Sequence, residues 1–302
     1  MRNLAFVYDR VIPSARSLSA RRRLKRVIHQ YNRTMATAFG PTVVEQPSTT
    51  HTATIIFLHG LGDTGAGISS VAQALRLPHI LFKFPTAPRR PVSMNGGAVM
   101  PAWFDLDFSL TARRDNKGVE EAIAYLETQV QEEITKGIHP ERIAIGGFSQ
   151  GGHVSLKSLF RLKQPLAACI ALSTWLEPGL DWEVSQPAVK QMRVFLGHGT
   201  ADPLIPLPLA NSTANLLRQK GFANLDFRTY SGVQHSIGPQ ELQDIRAFIQ
   251  EVLPEQALKV PTRDEVDAMS VKELKGFLQS RSVDTRSMLE KSELRDRAKA
   301  LL

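Results

Sequence analysis

The sequence predicts an α/β fold: a mainly parallel sheet with helices on both faces, followed by a small all-α appendage. Three observations predict it. Short apolar, β-branched runs alternate with segments of helical spacing from Thr52 onward, the runs are continuously apolar, and the pattern stops at Pro254. Continuously apolar strands belong to a sheet buried on both faces, and strands separated by amphipathic helices pair in parallel through helical crossovers. In such sheets functional residues gather at the carboxyl ends of the strands.

The elements follow in order. "TATIIFLHG" and "HILFKFP" read as strands on either side of the helical segment "GISSVAQALRL". A helix over Lys117–Lys136 leads to the strand "RIAIGGF", and a helix over Gly152–Arg161 leads to "AACIALS". "RVFLGHG" and "LDFRTYSG" are the last two strands, with helices over Leu209–Lys220 and Gln240–Val252. After Pro254, Thr262 with Glu265 and Ser270 with Glu273 have capping-box spacing and predict two short helices. Leu274, Phe277 and Leu278 form one apolar stripe there, and Leu294, Ala298 and Leu301 another.

Composition bounds the function. A chain of 302 residues, 42% hydrophobic, suits one large domain plus a small extra. It contains no apolar run of bilayer-spanning length, so no transmembrane segment is expected. The net charge of +8 is local. Residues 1–44 hold Arg2, Arg10, Arg16, Arg21, Arg22, Arg23, Lys25, Arg26 and Arg33 against the single acid Asp9, and the rest is neutral. The basicity is therefore no argument for nucleic-acid binding. The N-terminal arm, residues 1–44, is expected to be disordered or a targeting segment. Its Arg-rich, acid-poor composition resembles an organelle transit peptide, with a plain tail or a natural start at Met35 as alternatives. The protein is accordingly expected in the cytoplasm, or in the mitochondrion or another organelle if the arm is a transit peptide.

Cys169, the only cysteine, sits in "LAACIAL"; it excludes an intramolecular disulfide and reads as a core residue. The eight histidines show no metal-ligand spacing, so no metal and no cofactor are expected.

One motif carries chemistry. Gly147-Phe148-Ser149-Gln150-Gly151 fits G-x-S-x-G between a strand and a helix. There a sharp turn lifts the serine hydroxyl above the sheet edge. A serine needs a base, and the base needs an acid to fix its tautomer. Asp202 in "VFLGHGTADPLIP" and His235 in "DFRTYSGVQHSIGPQEL" both follow strands, in the chain order Ser, Asp, His that this architecture uses. His153, four residues past Ser149, is the rival base. The turn aims the hydroxyl away from its helix, so it reads instead as a packed or partly exposed helix residue. His198, flanked by glycines, reads as loop scaffolding near Asp202. The backbone N–H groups of Gln150 and of Leu61, in "LHGLGDTG", are the expected oxyanion donors.

Together these residues resemble the acyl-protein thioesterase family, the carboxylesterase and lysophospholipase-like branch of the α/β-hydrolases. The resemblance rests on "FLHGLGDTG", "PTAPRRPVSMNGG", "MPAWFD", "GGFSQGG", "LSTWL", "GHGTADPLIP" and "YSGVQHSI" and spans Thr54 to Pro254. It implies an α/β-hydrolase catalytic domain over residues 45–254. The implied reaction is hydrolysis of long-chain acyl thioesters on palmitoylated proteins, with no cofactor. Ser149 would carry the acyl group, His235 would act as base and then acid, and Asp202 would orient it. Met94, Met100, Trp103, Phe104, Trp175 and Leu176 would line the acyl site, or else simply pack the core. His153 stands where the family carries a small residue. A carboxylesterase or lysophospholipase acting on small esters or acyl-ester lipids is the alternative within the class. An inactive interaction scaffold is the alternative outside it. Residues 255–302 resemble a SAP-like helical module. With ten basic and nine acidic residues from 254 to 302, that module is expected to meet a protein partner or stabilise the chain, not to bind nucleic acid.

Overall fold

The computed structural model describes residues 39–107, 115–256, 261–279, 283–285, 288 and 290–302. Residues 1–38, the greater part of the arm read as a tail or transit peptide, lie outside this set. In chain order the elements are β1 (Gly40–Glu45), β2 (Ala53–Leu58), α1 (Gly65–Ile68), α2 (Ser70–Leu75) and β3 (Ile80–Thr86). Next come β4 (Arg89–Val92), β5 (Ala98–Pro101), α3 (Asn116–Lys136), β6 (Ile143–Phe148), α4 (Gln150–Ser158) and β7 (Ala168–Leu172). β8 (Arg193–Gly199), α5 (Leu207–Gln219), β9 (Leu225–Tyr230) and α6 (Pro239–Val252) complete the α/β unit. Three helices follow: α7 (Arg263–Ala268), α8 (Val271–Gln279) and α9 (Lys291–Lys299).

The sheet has seven strands in the order β1-β3-β2-β6-β7-β8-β9. All neighbours are parallel except β1, which runs antiparallel to β3. Side chains of successive strand residues point to opposite faces, and the core divides accordingly. Ile56, Leu58, Ile143 and Ile145 join one cluster with Val119, Ile123 and Leu126 of α3, Val154 and Leu156 of α4, and Leu217 of α5. Ile55, Phe57 and Ala144 join the other with Val71 and Leu75 of α2, and with Ile245, Phe248 and Ile249 of α6. Both faces are covered, which is why the strands read as unbroken apolar runs. Cys169 lies buried in the first cluster, where burial pushes its thiol up and keeps it protonated.

Two features were not expected from the sequence. β1 begins at Gly40, inside the range read as the arm, and the Phe39 ring stacks on Tyr125 at 3.8 Å. β4 and β5 form a separate antiparallel hairpin.

The strand register sets up the site. Leu58 pairs with Gly147, Phe148 with Leu172, and Leu172 with Gly197. The loops leaving β2, β6, β7 and β8 therefore emerge side by side at one edge of the sheet.

The C-terminal helices bury their own small core of Val266, Leu274, Leu278, Leu294 and Ala298. Both expected capping boxes form. Thr262 Oγ1 accepts the Glu265 N–H at 3.2 Å while Glu265 returns a carboxylate to the Thr262 N–H at 2.8 Å. Ser270 and Glu273 do the same at 3.3 and 2.7 Å. Thr262→Ala is expected to cost α7 about 1 kcal/mol, seen as faster amide exchange at Glu265 and Val266. Unchanged exchange would show that the cap is dispensable.

Candidate active site

Ser149 lies between β6 and α4 with φ 53° and ψ −117°, a conformation that a non-glycine residue holds only when its surroundings impose it. Its N–H donates to Leu172 O at 2.8 Å, and its carbonyl accepts from Thr174 Oγ1 at 2.8 Å. The flanking glycines are required by close approach. A Cβ on Gly147 would stand 2.7 Å from Gly152 N, and one on Gly151 would stand 2.6 Å from His59 O. The spacing of the motif is thus a packing condition on the turn.

Two loops bring the remaining groups to this hydroxyl. The loop after β8 carries Asp202, whose Oδ1 accepts the N–H groups of Leu204 and Ile205, each at 2.9 Å. The loop after β9 carries His235, whose Nδ1 lies 2.7 Å from Asp202 Oδ2 and whose Nε2 lies 3.0 Å from Ser149 Oγ. A carboxylate can only accept, so Nδ1 carries the proton and Nε2 offers its lone pair to the serine hydroxyl. Asp202 is 6% exposed and Ser149 9%, so the chain of hydrogen bonds is shielded yet reachable at its serine end.

The loop after β2 also reaches the serine. A Cβ on Gly60 would be 3.4 Å from Ser149 Cβ, so this loop lies against the serine. Gly62 N–H donates to Pro101 O and Asp63 N–H to Gly60 O, while the N–H of Leu61, just before them, has no acceptor among the described residues. Gln150 opens α4, where the first N–H groups lack intrahelical acceptors.

Two supports of the site were not foreseen. The Gln150 side chain is buried and accepts the Trp103 N–H at 2.8 Å while donating to Phe104 O at 2.8 Å. His59 donates from Nδ1 to Gly60 O at 2.6 Å and accepts the Ala87 N–H at Nε2 at 3.0 Å. That pattern requires the neutral ring, in keeping with the downward push that burial gives its pKa. Its carbonyl accepts Trp103 Nε1–H at 2.8 Å.

The rival histidine is turned elsewhere. His153 is fully buried, with Nδ1 2.9 Å from Trp175 O and its ring between Phe104 and Trp175, at 5.0 and 4.8 Å between centroids. Burial pulls its pKa down to about 4; Glu177 opposes this and Lys157 reinforces it. Of the six candidates for an acyl site, Trp103, Phe104, Trp175 and Leu176 are at most 1% exposed and pack in the core. Met94 and Met100 are part-exposed, and a Cβ on Gly62 would be 3.5 Å from Met100 Sδ, which puts that methionine beside the loop after β2. Among the described residues, no cluster of His, Cys, Asp or Glu suits a metal, and no helix is long and apolar enough to cross a membrane.

A parallel sheet with a serine on a strained strand–helix turn, backed by a histidine and an aspartate from the next loops, defines an α/β-hydrolase of the serine type. Residues 40–253 match the Phospholipase/Carboxylesterase family, and the chain belongs to it. Among similar proteins, acyl-protein thioesterase 1 of Neurospora crassa is 41% identical over 229 residues, covering 72% of this chain and 93% of that protein. Acyl-protein thioesterase 1 of Gibberella zeae is 38% identical over 217 residues, covering 68% of this chain and 92% of that protein. Among solved structures, Zea mays acyl-protein thioesterase 2 superimposes with a TM-score of 0.62 at 28% identity, covering 71% of this chain and 99% of that one. Arabidopsis thaliana SOBER1 gives 0.61 at 28% identity, covering 67% and 99%.

The appendage requires a correction. Residues 259–302 match the E3 ubiquitin-protein ligase rififylin-like domain, not a SAP module. The SAP-like reading rested on the helix–loop–helix pattern from Ser270 onward; among the described residues a further helix, α7, precedes that pattern, and its Val266 belongs to the same small core as α8 and α9.

Proposed function

We propose that this enzyme hydrolyses acyl thioesters on S-acylated proteins through an acyl-enzyme on Ser149. The observation that carries the reading is the continuous chain Ser149 Oγ–His235–Asp202, at 3.0 and 2.7 Å, with the nearby Leu61 N–H unengaged among the described residues. His235 takes the serine proton as Oγ attacks the thioester carbonyl. The oxyanion moves to the N–H groups of Leu61 and Gln150, a pair in which one donor is worth about 100- to 1,000-fold in rate. The cysteine thiolate leaves and takes the proton from His235. A water activated by the same imidazole then releases the acid. Met94 and Met100 offer apolar surface for the start of the acyl chain. The acyl-protein thioesterase relatives favour a thioester over a lysophospholipid, and the C-terminal unit, similar to the E3 ubiquitin-protein ligase rififylin-like domain, is the part we assign to a protein partner.

Labelling with a fluorophosphonate probe tests the chemistry. Wild type is expected to label at Ser149, and Ser149→Ala to remain unlabelled. An unlabelled wild type would instead indicate an inert scaffold. Turnover of lysophospholipid with none of a palmitoyl-thioester peptide would replace the thioesterase reading by the lysophospholipase one.

A further inference from the structure

We infer that His198 is a positioning residue: it holds the Asp202–Ile205 turn so that Asp202 stays fixed and fully available to His235. The inference deepens the catalytic reading of Ser149, His235 and Asp202, and rests on it.

His198 is the sixth residue of β8 and is completely buried. Its Nε2 lies 2.8 Å from Ile205 O and 3.8 Å from Asp202 Oδ2. A carbonyl can only accept, so Nε2 carries the hydrogen. Ile205 then completes a relay: its carbonyl is held by His198, while its own N–H donates to Asp202 Oδ1 at 2.9 Å. The other lone pairs of the Asp202 carboxylate go to Leu204 N–H and to His235 Nδ1–H. Among the described residues, each hydrogen bond to the Asp202 carboxylate is thus made either by His235 or by the turn that His198 holds shut.

The neutral state of His198 matters as much as its place. Its Nδ1 is buried with no partner among the described residues, so a second ring proton would have no acceptor. Burial lowers its pKa, although the bond to Ile205 O and the charge of Asp202 pull the other way and His235 adds to the lowering. An imidazolium here would compete with His235 for Asp202 Oδ2. An uncharged N–H donor on the turn fixes the carboxylate without taking its charge. A neighbouring feature supports the rigidity of this corner: a Cβ on Gly199 would be 2.7 Å from Gln234 O, so the β8 loop and the His235 loop are in direct contact.

The test is a double-mutant cycle. His198→Ala is expected to lower kcat on a palmitoyl-thioester peptide by up to about 100-fold, the cost of a displaced catalytic group, with KM little changed. In the Asp202→Asn background the same substitution should cost less than about threefold, because its effect runs through Asp202. Equal losses in both backgrounds would overturn the inference and leave His198 a packing residue. His198→Gln and His198→Met, similar in length, cover the case in which the alanine variant does not fold. Gln restores an N–H near Nε2 and should recover most of kcat, whereas Met should not; equal impairment in two folded variants would also overturn the inference. If Asp202→Asn alone leaves kcat unchanged, the triad reading itself falls, and the inference with it.

Discussion

His235→Ala is expected to lower kcat/KM by about four to six orders of magnitude, the loss seen when a serine hydrolase loses its base. His235 is the only imidazole within reach of Ser149 Oγ among the described residues, at 3.0 Å, and nothing nearby can substitute for it. The Leu61 and Gln150 donors would remain, so the variant should still exceed the uncatalysed rate. His153→Ala supplies the contrast. His153 lies one helical turn beyond Ser149, but its ring bonds Trp175 O and faces Phe104 and Trp175. Its removal empties a buried site between two aromatic rings, which should cost about 2 kcal/mol of stability. Turnover of a short-chain ester should stay within about tenfold of wild type, with the preference among chain lengths altered. Steady-state kinetics and melting curves of both variants check this. A larger rate loss from His153→Ala than from His235→Ala would overturn the assignment of the base.

What the sequence disclosed follows a physical division. Strands buried on both faces must be apolar throughout, so β2, β3, β6, β7 and β8 were legible. Ser149 was legible because its turn excludes side chains at positions 147 and 151, which leaves a fixed glycine spacing. Asp202 and His235 were legible from their places after strands. β1, "GPTVVE", is an edge strand with every residue at least part-exposed, and β4, "RRPV", carries two arginines and a proline, so neither presents an apolar run. The supports of the site were hidden for a different reason. The Gln150 amide reaches Trp103 and Phe104, 47 and 46 residues away, and no local pattern encodes such a bond. The acyl-site candidates show the same limit, since aromatic residues near a site and aromatic residues in a core have the same composition. The C-terminal capping boxes were readable because donor and acceptor lie three residues apart.

Glu241→Gln is expected to stabilise the protein more at pH 8 than at pH 5, by a difference of about 2.5 kcal/mol. Glu241 lies in the first turn of α6, wholly buried against Gly197, with Oε2 3.3 Å from the Gly238 N–H and Oε1 without a partner among the described residues. Burial pushes its carboxyl up to about 7; the Gly238 N–H opposes the rise and Asp244 adds to it. Asp244 itself is engaged by Tyr230 at 3.0 Å and Arg228 at 3.2 Å, so its charge persists beside Glu241. The sign follows from linkage. Below the ordinary carboxyl value of 4.5 both folded and unfolded chains are protonated at this position, and no penalty arises. Between there and about 7 the folded chain holds a proton that the unfolded chain has lost, so stability falls as pH rises. Above that range the folded chain carries a buried charge with one hydrogen bond. Glutamine keeps an acceptor for Gly238 N–H and never ionises, so it removes the penalty only where the penalty exists. Any cost of packing its extra N–H groups is the same at both pH values and cancels in the difference. Denaturant midpoints of wild type and variant at the two pH values measure it. An equal shift at both would show that Glu241 is ionised or protonated alike across the range, and that the burial argument for its carboxyl is wrong.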